Sequence, residues 1–94
     1  MDITKRVTLK NKELYIRIHA EPLYMGGWEV KSFTVKQVNN SDRFIKQESL
    51  SYIGMSIKKV VLDIAEEAKK HFERREIAEG ELKELDDWDG IIKS

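Results

Sequence analysis

Apolar and polar residues alternate one by one through the first fifty positions, then switch to steps of three and four. The first pattern is that of strands with one face in a core, the second that of an amphipathic helix. Ile3, Val7 and Leu9 share one face of a first strand, and Thr4, Arg6, Thr8 and Lys10 take the other. Asn11-Lys12 reads as a two-residue hairpin turn, Asn tolerating the positive φ such turns demand. A second strand, Glu13 to Ala20, then sets Leu14 opposite Leu9 and Ile16 opposite Val7. Ile18 extends that face, and Tyr15, Arg17 and His19 lie outside with Arg6 and Thr8. Pro22 supplies no ladder donor and ends the strand, so Leu23-Tyr24-Met25-Gly26-Gly27 becomes a flexible apolar loop.

A third strand covers Trp28 to Val38. Its alternation slips between Val30 and Phe33, which predicts a bulge near Lys31-Ser32. Asn39-Asn40-Ser41-Asp42 is a turn by composition. A polar fourth strand, Arg43 to about Ser49, points Phe44 or Ile45 inward and forms a sheet edge. Beyond it Ile53, Ile57, Val60, Val61, Ile64, Ala65, Ala68 and Phe72 make the stripe of one long helix, capped by Ser51 or Ser56. Gly80 is placed to end it, and Leu82, Leu85 and Trp88 to form a short turn folding back.

These elements predict an α+β fold, an antiparallel meander of three or four strands with the helix across one face and a short C-terminal segment. One domain spans residues 1–94, divided into a β-meander over 1–50, a helix over 51–80 and an acidic segment over 81–94.

Charge adds something the pattern lacks. The 94 residues carry no net charge, yet residues 1–60 hold eleven Lys or Arg against six Asp or Glu, a net of +5, and residues 61–94 reverse it to −5. Seven acids, Glu76, Glu79, Glu81, Glu84, Asp86, Asp87 and Asp89, fall within fourteen positions that contain one Lys. Opposed fields of this kind bear on partners and encounter rates. Candidate chemistry is sparse by comparison. With no Cys and two histidines, neither a disulfide, a thiolate nucleophile nor a protein-only zinc site is expected. Asp86-Asp87-Trp88-Asp89-Gly90 lacks the spacing of a calcium loop, and Glu67 with His71 reads as an ordinary contact between helix neighbours. No apolar stretch approaches the length of a membrane span, and the expected compartment is the cytoplasm.

The sequence therefore points away from catalysis and from cofactors, towards a non-enzymatic protein that binds another macromolecule. A small bacterial or phage regulator, such as an inhibitor of a nucleic-acid-handling protein, fits the size and the acidic last third. The expected docking residues are Glu81, Glu84, Asp86, Asp87, Trp88 and Asp89, with Tyr24, Met25 and Trp28 from the loop, because acids steer towards a basic groove and aromatics anchor in it. An alternative is direct nucleic-acid binding by Arg6, Lys10, Tyr15, Arg17 and His19 on the outer sheet face, where cations meet phosphate and a ring stacks on a base. A third reading packs the apolar loop and tail against another copy in a homodimer.

Overall fold

The computed structural model describes residues 1–92, in the order β1 (Asp2–Leu9), β2 (Lys12–Pro22), β3 (Gly27–Gln37), β4 (Arg43–Lys46), β5 (Leu50–Ile53) and α1 (Ile57–Asp87). The strands form one antiparallel sheet in the order β1-β2-β3-β4, with β5 also paired to β3. It is an α+β fold, with the front of α1 laid across one face of the sheet.

The first hairpin turns one residue earlier than the sequence suggests. Leu9 pairs with Lys12, so Lys10 and Asn11 form the turn, and both have positive φ, at 46° and 68°. That is the primed two-residue turn that matches strand twist. Each cross-strand partner moves by two positions, so Val7 faces Leu14 and Ile3 faces Ile18. A shift of two keeps every side chain on its expected face. It also places Lys5 opposite Ile16, pointing a charge along the core side of an edge strand.

The bulge falls where the alternation slips. His19 pairs with Ser32 and Ala20 with Val30, leaving Lys31 as the extra residue. Below it β3 pairs with β5, and above it with β4. The expected fourth strand stops at Lys46, and after residues 47–49 comes a fifth strand that the sequence does not announce. Leu50-Ser51-Tyr52-Ile53 forms this fifth strand where the helix is expected to begin, so Ile53 is an exposed strand residue and not part of the helix stripe. Gly27 makes that pairing possible. Its φ is +95°, and a Cβ there would lie 2.1 Å from the Tyr52 carbonyl oxygen.

Leu14, Ile16, Ile18, Ala20, Val30, Phe33 and Val35 from the sheet meet Val60, Val61, Ile64, Ala65, Ala68 and Phe72 from α1 in one buried cluster. Phe44, not Ile45, turns inward and packs against it. Ser56 caps the helix, its hydroxyl accepting from the Lys59 N–H at 3.3 Å.

The far end of α1 departs from expectation. Gly80 does not stop the helix, because Glu81-Leu82-Lys83-Glu84-Leu85 are strong helix formers and no Pro follows. The helix runs to Asp87, and the Trp88 N–H closes it on the Glu84 and Leu85 carbonyls at 3.1 and 3.3 Å. No turn folds back. The 31 residues span about 46 Å, and the molecule measures 63 × 27 × 19 Å.

Candidate interaction surfaces

Where the helix parts from the sheet is marked by two ion pairs. Lys12 Nζ meets Glu76 Oε1 at 2.6 Å, and Arg75 Nε meets Asp42 Oδ1 at 3.5 Å. Both join α1 to the turns at one end of the sheet. The residues past Glu76 project beyond it. Ile77 is 63% exposed, Leu82 60%, Leu85 57% and Trp88 49%.

Helical phase explains why this segment leaves the core. At about 100° per residue, Ile57 to Phe72 share one side, whereas Ile77, Ala78, Leu82, Leu85 and Trp88 share an arc of roughly 140° turned by about 100° from it. The apolar seam therefore cannot continue onto the sheet. Glu81 lies inside the arc, Glu84 and Asp86 flank it, and Asp87 lies on the opposite side of the helix. Among the described residues none of these four carboxylates has a cation within 4.0 Å. The last turn of α1 holds no basic residue. Acids there oppose the helix macrodipole, whose C-terminal end is negative, so the segment gains from any cation brought to it. Asp89 follows the helix, its carboxylate accepting from the Ile91 N–H at 2.9 Å.

The apolar loop occupies the other end of the sheet. Leu23 N–H donates to the Gly27 carbonyl and Gly26 N–H to the Leu23 carbonyl, a tight turn that leaves Tyr24 and Met25 in solvent. Trp28 instead pairs across from Pro22 and packs against the core. Gly54 N–H donates to the Gly26 carbonyl, which ties this turn to the chain just before α1 begins. The structure thus does not bring Tyr24, Met25 and Trp28 together with Glu81, Glu84, Asp86, Asp87, Trp88 and Asp89. They mark opposite ends of the molecule.

On the outer sheet face, register sets Arg6 beside Tyr15, Tyr15 beside Lys36 and Lys36 beside Arg43, a row of three cations and a ring across four strands. Arg17 and His19 lie on the same face in the neighbouring rows. Two acids temper the charge. Glu13 meets Arg6 at 2.9 Å, and Asp2 meets His19 Nδ1 at 3.0 Å and Arg17 at 3.6 Å. The hydrogen bond from His19, with the Arg17 charge behind it, holds the Asp2 carboxyl below its ordinary value. Lys10 is not on this face. It belongs to the hairpin turn, where with Leu9 it borders a hollow closed by Glu66, Lys69 and Lys70 of α1.

His71 and Glu67 do not pair either. The imidazole stacks on Phe44 with centroids 4.7 Å apart, and Glu67 accepts from Lys46 Nζ at 3.2 Å. Among the described residues no three His, Asp or Glu side chains converge as metal ligands. Among the described residues no helix is long and apolar enough to cross a membrane.

Sequence reasoning missed one feature altogether. Between β1 and the start of α1 runs an apolar groove of about 420 Å³, lined by Ile3, Val7, Ile57, Val61 and Leu62. Lys5, Arg6 and Lys58 also line it, and no acid does. The signal was present in the alternation of β1, where Lys5 interrupts Ile3 and Val7 on the inward face. Compared with models of protein families, with curated proteins and with solved structures, the chain matches none.

Proposed function

We propose that this is a non-enzymatic interaction protein of the cytoplasm, a small regulator or inhibitor that docks the projecting part of α1 into an apolar, basic-rimmed groove on another macromolecule. The observation that carries this reading is the exposure of Ile77, Leu82, Leu85 and Trp88 along one arc of a helix that has already left its own core. Burying these four side chains is worth about 1.5 to 3 kcal/mol each. Association itself costs roughly 4 to 15 kcal/mol, so the segment is a credible anchor only with further contacts or charge steering. Glu81, Glu84, Asp86, Asp87 and Asp89 supply the steering. A nucleic-acid-handling protein offers suitable basic surfaces.

The test is capture from a cell extract with the wild-type protein and with Leu82→Glu plus Leu85→Glu side by side. A protein held by the wild type and lost with the variant supports the reading. Equal capture by both contradicts it.

The row Arg6, Tyr15, Lys36 and Arg43 favours a second reading, direct binding of single-stranded nucleic acid on the outer sheet face. Such binding would weaken steeply with salt, and Tyr15→Ala with Lys36→Ala would reduce it by about an order of magnitude and flatten the salt dependence. Fluorescence anisotropy with an unstructured oligonucleotide measures both. No binding at physiological salt removes this alternative.

A further inference from the structure

We infer that the β1–α1 groove is the seat for the projecting helix of a second copy of this chain, each copy giving its helix and receiving the other's. The inference rests on reading residues 77–88 as the docking element and names what they dock against. Three observations carry it.

The first is charge complementarity. The groove is apolar at its base and bordered by the charges of Lys5 and Lys58, with no acid among its lining residues; Arg6 lines it too, but its guanidinium is held by Glu13. Lys5 and Lys58 are exposed and have no carboxylate within 4.0 Å among the described residues. The helix is apolar along Ile77, Leu82, Leu85 and Trp88, and among the described residues no cation lies within 4.0 Å of Glu81, Glu84, Asp86 or Asp87. Its acidic last turn is disfavoured by the helix dipole until a positive charge approaches. Each surface thus lacks what the other has.

The second is size. Residues 77–87 extend about 16 Å as a helix, and Ile3 to Val7 extend roughly 13 Å along the strand, so one segment fills one groove. The third is that neither can be satisfied within one chain. The groove lies beside the start of α1 and the projecting segment is the far end of the same unbroken helix. Lys5, pointing inward on edge strand β1, also disfavours the competing arrangement in which two β1 edges pair directly, because a continuous sheet would bring two such charges close together. Reciprocal exchange closes the assembly at two copies, where a one-way contact would propagate into a chain.

Sedimentation equilibrium across micromolar to sub-millimolar concentrations tests it on the full chain. The expected result is a monomer–dimer equilibrium that weakens as salt is raised. Lys5→Glu with Lys58→Glu, and separately Leu82→Glu with Leu85→Glu, should each weaken dimerisation by about tenfold or more. None of these four side chains is buried, so circular dichroism should report an intact fold. Combining Lys5→Glu and Lys58→Glu with Glu81→Lys and Glu84→Lys in one chain should restore the dimer. A wild type that stays monomeric overturns the inference, as does a dimer insensitive to the groove substitutions or an assembly that grows without limit. A monomeric wild type that still captures another protein through Leu82 and Leu85 would overturn self-docking alone. Loss of both self-association and helix-dependent capture would overturn the proposed function as well.

Discussion

Single residues decide where this chain bends and what its core tolerates. Ile64 is wholly buried between sheet and helix, and Ile64→Ala is expected to cost about 2 to 5 kcal/mol. Chemical denaturation measures that loss, and a domain of this size has little more to give. Gly27→Ala should be comparably harmful for a different reason. It adds a methyl against the Tyr52 backbone and demands a positive φ of a residue that resists it, so a loss of at least about 2 kcal/mol is expected, with weakened protection of the amides joining β3 and β5. At Asp2 the effect is on ionisation. Its carboxyl is held below the ordinary 3.8, so the stabilisation from His19 and Arg17 is complete above that value and disappears as pH falls through the depressed one. A carboxyl-detected titration should place the Asp2 midpoint below 3.8, and His19→Ala should raise it. A midpoint unmoved by that substitution would show that the contact does not form in solution.

At the scale of elements, α1 divides into a packed half and a projecting half with different stabilities. Gly80 lies in the exposed half, and a helix-interior Gly costs about 1 kcal/mol relative to Ala. Gly80→Ala should therefore strengthen the far turns, seen as slower amide exchange over residues 77–87, while unfolding of the core stays nearly unchanged. How much was legible in the sequence follows from the same physics. Strict alternation exposed the core faces of β2 and the bulge in β3, because a slip of one residue changes which side chains are buried. The first hairpin turn lies one residue, and its register two, from where the sequence puts them, because Lys at positive φ is a poor signal that only the twist of paired strands overrides. β5 was hidden because Ile53 fits the helical stripe as well as it fits a strand four residues long. Gly80 looked like a stop because Gly usually is one, although the residues after it favour helix. The groove went unread because it arises between elements. The phase shift after Phe72 was there to be read, and it is what makes the far segment a free surface.

For the whole molecule, the opposed charges of the two halves acquire positions. The acids of the last third project from one end on a helix that its own sheet cannot hold, and the cations line the outer sheet face and the rim of the β1–α1 groove. A small domain rarely leaves four large apolar side chains in an ordered helix without something to cover them. Hydrogen exchange along α1, followed as the protein is concentrated, tests this most directly. In dilute protein the amides of residues 60–72 should be strongly protected and those of 77–88 weakly, and the second group alone should gain protection on concentration. Protection of 77–88 equal to that of 60–72 at the lowest concentration would contradict the claim, because the segment would then already be packed against its own domain.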